Sequence, residues 1–359
     1  MPTVHLTDAD HEAIAVELDA LRQRVTAELG ARDAAYIHRV IAWQRGLEAG
    51  GRAVLQIAAL LPRDRRTALR RSVWAAGTVT LSLAKILENM EIGHNVMHGQ
   101  WDWMRDPKIH STTWEWDAVA PADLWKHLHN VVHHTNTNVI GVDDDLGFGL
   151  LRITPEQPWN PACVAQPLYA LLLMAFFEYG VAVADLELDK VLAKEDDPEV
   201  TRAKLRRIRE KIVRQWSKDY VAFPLLSGRR FGSTLAANFV ANTVRNLWAT
   251  TIIYCGHFPE DVQVFPPERL DGETRGQWYV RQLTGSANIA GGRVLDLLSG
   301  NLSHQIEHHL FPDMPSHRLA KIAPQVRALC DKYDLPYNSG SLARQVGSTW
   351  KKIFRLSLP

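Results

Sequence analysis

Neutral imidazole is the commonest metal ligand in proteins, and most of the 15 histidines of this chain fall in four places. His94 and His98 stand four apart, so on a helix both rings share a face and can aim at one ion. Glu91, one turn earlier on that side, is a candidate acceptor for an imidazole N–H, and Asn95 is a polar neighbour of the same kind. His129 and His133 repeat the spacing, and His134 is turned by about 100° on an ideal helix, where it could serve a second ion. His127 points away from His129 and is set aside. His304, His308 and His309 repeat that pattern, and two independent copies in one chain are not expected by chance. His257 stands alone at the end of an apolar stretch. Asn238, Asn242, Arg245 and Asn246 share its arc on an ideal helix. Such a polar stripe should face protein or a water-filled cavity, not lipid. Asn246 and Glu307 complete the candidate supporting residues.

This is more histidine than one zinc takes, since a zinc site uses four ligands. It suits two metal ions with open positions, and imidazole suits iron, copper, zinc and nickel. Soluble di-iron bundles use Glu and Glu-x-x-His motifs, and no such pair of motifs occurs here. An all-nitrogen two-metal site at the ends of apolar helices points to oxygen chemistry on an apolar substrate. The run Asp143, Asp144, Asp145 reads as a turn or as support behind the ligands before it reads as a cation site. Cys163, Cys255 and Cys330 form no CxxC, which excludes a thiolate zinc or rubredoxin-type iron site.

These residues resemble the membrane-bound fatty acid desaturases, whose mark is three histidine boxes. His94 to His98, His129 to His134, and Gln305-Ile306-Glu307-His308-His309 match them in order. The run from Glu88 to Trp103 is similar to the actinobacterial acyl-CoA desaturases in particular. The resemblance covers residues 73–319. It implies two non-haem iron ions held by histidines, O2 as oxidant, and a cis double bond introduced into a long-chain fatty acyl substrate, coenzyme A- or lipid-linked. It implies that His257 fills an extra ligand position between the second and third boxes. At the head of the third box, bare helix spacing favours His304 and family alignment favours Gln305, and both stay open. There is no His-Pro pair of a fused cytochrome b5 and no glycine-rich dinucleotide loop. No bound flavin or nicotinamide is therefore expected, and electrons should come from a separate ferredoxin-like or flavin-dependent reductase. A fatty acyl or alkane hydroxylase using the same site is the alternative. A soluble zinc hydrolase and a non-catalytic metal- or lipid-binding protein are more distant ones.

The elements that must carry the boxes follow from hydrophobic patterning. Residues 73–87, 162–184 and 235–256 are apolar stretches with one charge each: Lys85, Glu178 and Arg245. A membrane-spanning helix needs about 20 apolar residues, which the second and third reach. Helices are expected over 8–29, capped by Thr7, and over 34–47, with Gly46, Gly50 and Gly51 marking a break. The expectation is an all-α integral membrane protein of the bacterial cytoplasmic membrane, multi-pass, with a cytoplasmic helical cap holding the site. Residues 1–72 form an N-terminal helical cytoplasmic region, and 73–359 a desaturase domain with membrane segments near 73–90, 162–184 and 235–256. No apolar leader opens the chain, so secretion is not expected.

Composition alone gives a different impression. Mean hydropathy is −0.18 and hydrophobic residues make up 46%, as in a soluble protein. A net charge of +1 argues against a nucleic-acid partner. The 12 tryptophans fit a membrane interface; Trp101, Trp103, Trp114, Trp116 and Trp125 lie near the boxes. Basic patches at Arg63, Arg65, Arg66, Arg70 and Arg71 and at 202–218 read as cytoplasmic flanks. If the second and third stretches are the two crossings between His134 and His304, the run 202–218 falls on the wrong side. Either one stretch doubles back or the run is an exception.

Overall fold

The computed structural model describes residues 5–62, 67–184, 186 and 197–359, so Arg63, Arg65 and Arg66 lie outside the described residues. Thr7 starts helix α1 (Asp8–Ala27) through a capping box: its hydroxyl accepts from Asp10 N at 3.2 Å and its own N–H donates to Asp10 Oδ2 at 2.9 Å. The helix stops two residues short of the expected 29.

Helix α2 (Ala31–Leu60) runs unbroken through Gly46, Gly50 and Gly51, against the break expected there. Tertiary contact explains Gly51. A Cβ there would lie 2.8 Å from the Leu81 backbone nitrogen on helix α3 (Thr67–Leu87). A Cβ on Gly77 would lie 2.9 Å from Leu55 Cγ. The missing side chains let the helices cross closely, and the contact offsets the roughly 1 kcal/mol that glycine costs a helix.

The stretch 162–184 is not one helix. It folds into α4 (Gln166–Ala175) and α5 (Phe177–Ala184), and the segments Pro161–Ala175 and Phe177–Ala184 meet at a 95° bend. Phe176 is non-helical at the corner, and Gly180 lies against Leu173, where a Cβ would come within 2.7 Å. Helix α6 (Pro198–Trp216) carries the basic run and leads through a π-turn to Leu226. Helix α7 (Phe231–His257) brings the chain back. Gln56 donates to the Phe223 carbonyl at 3.2 Å, and Trp74 donates to that of Ser233 at 2.9 Å. The last turns of α2, the first turns of α3 and the start of α7 thus meet at one end of the bundle, while His94 and His257 mark the other.

Among the described residues no single helix is long and apolar enough to cross a membrane; only the bent pair reaches the criterion. The expected polar stripe of α7 faces protein: Asn238, Asn242, Arg245, Asn246 and His257 are all buried. Asp219 lies at the centre of the bundle, paired with Arg52 at 3.0 Å and Lys85 at 2.7 Å, and its backbone carbonyl accepts from Asn238 at 2.7 Å. Arg245 pairs with Glu178 at 2.5 Å.

Beyond His257, helix α8 (Arg275–Thr284) shares a core with α1 and with the short helix α9 (Gln305–Leu310). Ile14, Leu18, Tyr279, Ile306 and Leu310 are packed together there. Strands β1 (Asn288–Ala290) and β2 (Ser339–Ser341) pair in parallel. Helices α10 (Ser316–Lys332) and α11 (Leu342–Leu356) complete the cap, which is helical apart from this strand pair.

Candidate metal centre

The second box lies largely in a π-helical turn, His127–His133, and the first begins on the last residue of another, Glu88–His94. A π-turn bonds residue i to i+5 and recurs at functional sites. It alters the angles an α-helix would give. His129 stacks on His133 at 5.0 Å and packs edge-on against His134 at 4.9 Å. The third box begins after a 3-10 turn, Leu302–His304, so α9 starts at Gln305 and His304 lies outside it.

Two groups of imidazoles result. Ligand atoms of His94, His98, His129 and His308 lie within 4.8 Å of one another, and so do those of His133, His257 and His309. His134 lies between the groups, its ring 4.7 Å from His98, 4.9 Å from His308 and 4.4 Å from His309. The sequence pattern put His129 and His133 on one ion. The structure brings them together with Asp145 within 4.8 Å, and also sets each against a different group of the remaining histidines.

The donor chemistry fits metal ions. Buried polar atoms nearly always have hydrogen-bond partners, yet His98 Nε2, His129 Nε2 and both nitrogens of His134 and His308 have none. His257 Nε2 and His309 Nε2 face each other at 3.1 Å, as two lone pairs do around a cation. Burial holds the pKa of His98, His129, His134, His257, His308 and His309 well below the ordinary histidine value and brings His94 down to about 4. The rings are therefore neutral, which is the ligating form.

Behind the rings stand acceptors that fix their tautomers. Asp143 faces His133 Nδ1 at 2.9 and 3.0 Å, and Asp145 faces His129 Nδ1 at 3.0 Å. His133 differs from the others: burial opposes its charge, but the two carboxylates outweigh it and raise its pKa. His309 Nδ1 is 3.2 Å from Gln282 Oε1, and His94 Nδ1 is 2.9 Å from Asn95 Oδ1. At metal sites, carboxylate and carbonyl acceptors of this kind orient the ligating rings. Asp143 and Asp145 carried a weak signal in the sequence, an acidic run just past the second box. Gln282 carried none.

The remaining candidates divide. Gln305 reaches the second group: its amide nitrogen is 2.9 Å from His257 Nε2 and its buried Oε1 has no partner. Amide N and O are assigned from the bonding network, and exchanging them turns the oxygen toward the group. His304 faces elsewhere, 3.7 Å from Asp296, in a separate surface cleft. Glu307 accepts from Asn288 and Tyr337 at 2.8 Å each, and Asn246 bonds to Ala175 and Arg245 within the bundle. Glu91 reaches His94 by way of Asn95.

A narrow, largely apolar cavity ends on the two groups, lined by Met90, Trp116, Trp125, Phe148, Phe177 and Leu302 together with His94, His133 and His257. Trp125 stacks on His129 at 4.5 Å. Trp116 and Trp125 thus belong to the cavity, whereas Trp101 is buried against His317.

Known proteins resemble this chain over most of its length. The profile of the family described as fatty acid desaturase matches residues 72–341. The chain is 50% identical over 359 residues, 99% of its length and 82% of the other, to the NADPH-dependent stearoyl-CoA 9-desaturase of Mycobacterium tuberculosis. It is 24% identical over 267 residues, 73% of its length and 74% of the other, to the sn-1 linoleoyl-lipid 6-desaturase of Synechocystis. To the Delta(5) fatty acid desaturase A of Dictyostelium discoideum it is 26% identical over 278 residues, 72% of its length and 58% of the other. The chain belongs to the fatty acid desaturase family. It is an oxidoreductase that desaturates fatty acyl chains.

Proposed function

We propose that the substrate is a long-chain acyl-CoA, with stearoyl-CoA and carbon 9 as the first case to test, and that two non-haem irons occupy the two histidine groups. The observation that carries this reading is the convergence of partnerless, buried imidazole nitrogens on the end of an apolar cavity. The net reaction turns a CH2–CH2 unit, O2, two electrons and two protons into a cis CH=CH unit and two waters. Iron held by the two histidine groups would supply the redox chemistry that activates O2 for this reaction. The chain supplies the rest. Asp143, Asp145 and Gln282 hold ring tautomers with a lone pair toward the metal. Trp116, Trp125 and Phe177 line the channel that presents one pair of carbons and excludes water. His94, His98, His129 and His308 make up one ligand group. His133, His257 and His309, with Gln305 ahead of His304, make up the other, and His134 lies between them.

The three relatives named above are all desaturases, which favours hydrogen removal over hydroxylation at the same site. We assign the electrons to NADPH by way of a separate ferredoxin-like or flavin-dependent reductase, because the chain carries no glycine-rich dinucleotide loop.

We further propose that the bundle sits in the bacterial cytoplasmic membrane with the metal centre on the cytoplasmic side. Large apolar side chains, among them Leu60, Val79, Leu225, Leu226 and Phe239, are exposed on its surface, as expected of a surface that meets lipid. The chain returns toward the histidines along α7. Lys211 on α6 bonds to Glu115 near the boxes at 2.9 Å, so the basic run starts on the side of the site, as the positive-inside rule requires.

The deciding experiment is gas chromatography with double-bond localisation on lipids of cells expressing the protein with its reductase. Loss of two hydrogens at one position supports the reading. A gain of one oxygen would make the enzyme a hydroxylase, and unchanged lipids with an iron-loaded, reduced enzyme would overturn both.

A further inference from the structure

Glu91 is completely buried in the middle of the first π-turn, yet among the described residues its carboxylate bonds to no histidine. Four side chains donate to its carboxylate. Tyr36 and Ser316 hydroxyls reach Oε1 at 2.8 and 2.6 Å, and Asn301 and Asn95 amides reach Oε2 at 2.9 and 3.3 Å. These donors come from four separate parts of the chain. Tyr36 lies on α2, outside the residues shared with the family profile. Asn301 precedes the third box and Ser316 opens α10 behind it. Asn95 follows His94 directly.

Asn95 passes the constraint on. Its amide nitrogen also donates to the carbonyls of Glu91 and Gly300, at 3.1 Å each. With the nitrogen committed to three acceptors, Oδ1 faces His94 Nδ1 at 2.9 Å. The ring must then carry its proton on Nδ1 and turn Nε2, with its lone pair, toward His98, His129 and His308. Gly300 is held equally tightly. Its φ of +69° favours glycine, and a Cβ there would lie 2.5 Å from the Met90 carbonyl oxygen. The turn before the third box is therefore pressed against the π-turn of the first.

We propose that Glu91 is a positioning residue for the metal centre, which sets the aim and tautomer of His94 through Asn95, with Tyr36, Asn301 and Ser316 as the donors that hold it in place. The acceptor geometry matters here, not the charge. Glu91→Leu strands three buried donors and frees the π-turn to relax toward an ordinary helix, which would turn His94 away from its partners. Glu91→Gln keeps an oxygen for Asn301 and Asn95, while the Tyr36 and Ser316 hydroxyls can reverse to accept. Glu91→Gln is therefore the conservative rescue.

The inference rests on the di-iron reading, and its test is iron binding by the purified full-length protein against a competing chelator, with the Mössbauer spectrum as second readout. The wild type should hold two irons per chain. Glu91→Leu and Asn95→Leu should each weaken one iron by about 10–100-fold, the usual cost of losing such a supporting contact, and alter one of two spectral components. The double variant should be no worse than the poorer single, because the two act in series. Glu91→Gln should stay near wild type. Asp33→Asn, which weakens the clamp of α2 on Arg318, should lower thermal stability without changing iron affinity. Should Glu91→Leu fail to accumulate, Ser316→Ala tests the same contact with a smaller loss. Wild-type iron affinity and spectrum in both leucine variants, additive losses in the double, or an equal loss in Asp33→Asn would overturn the inference. A wild type that binds no iron would overturn the di-iron reading and the inference with it.

Discussion

Asp143 and His133 form a pair sealed from solvent, with both carboxylate oxygens within 3.0 Å of the ring Nδ1. The carboxylate is itself fixed, since its oxygens accept the backbone N–H of Asn138 at 2.7 Å and of Asp145 at 3.0 Å. The loop after the second box thus holds the ring of a residue in that box, and His133 Nε2 is left free for the second group. Asp143→Asn keeps the shape but offers an N–H where an acceptor is needed. Iron at the second group should then bind about 10–100-fold more weakly, with desaturation falling in step. Chelator competition checks the first and product chromatography the second.

His304 and Gln305 are neighbours with opposite surroundings. His304→Ala should leave double-bond formation within a few-fold of wild type, because its ring faces Asp296 and not the histidine groups. Alanine at His94, His98, His133, His134, His308 or His309 should abolish it. Gln305→Ala should reduce iron retention, and Gln305→His should restore it. Product analysis on this panel decides, and loss of activity in His304→Ala alone would reverse the assignment at the head of the third box.

Asp219 anchors the interior of the bundle. Removing one partner from a buried ion pair costs about 3–5 kcal/mol, because the remaining charges lose their compensation. Asp219→Ala should therefore strip Arg52 and Lys85 of their shared partner and lower the melting temperature of the detergent-purified protein by many degrees. Asp123→Ala, which removes an exposed partner of Arg207, should cost at most about 1 kcal/mol.

The chelated, metal-free protein should be acid-sensitive. Its buried histidines have pKa values below the roughly 6.5 of the unfolded chain, with His94 at about 4. In that window the unfolded state binds more protons, so stability is full above pH 6.5 and is lost as pH falls from there toward 4. His133 and the buried carboxylates Glu91, Asp143, Asp145 and Glu307, whose pKa values are raised, work in the opposite direction but are outnumbered by the lowered histidines. Thermal melts of the chelated protein between pH 7.5 and 5 should fall steeply. Metal-loaded protein should hold its melting point to lower pH, because bound metal must first be displaced by protons. A flat profile for the chelated protein would count against neutral burial of the cluster.

By itself the sequence determined which histidines cluster and much of the helical scaffold. Histidines at i and i+4 in three places, with a further one at i+5 in two of them, identify a many-imidazole site whatever the fold, because residue type and local spacing are covalent facts. Thr7 before an acidic first turn starts a helix through local hydrogen bonds alone, and the polar stripe of α7 is legible because helical periodicity is local as well. Tertiary structure decided everything that depends on who meets whom. Gly51 reads as a break until Leu81 is seen to need the space. The single apolar run 162–184 becomes two helices because its corner at Phe176 folds Gly180 against Leu173. That His129 and His133 each also meet a different group of histidines depends on chain segments that spacing on an ideal helix does not foresee, and the placement of His304 away from both groups follows from where the helix after it begins. Glu91 shows the limit most clearly. Its four donors lie as far apart in the chain as Tyr36 and Ser316, and only the folded core brings them to one carboxylate.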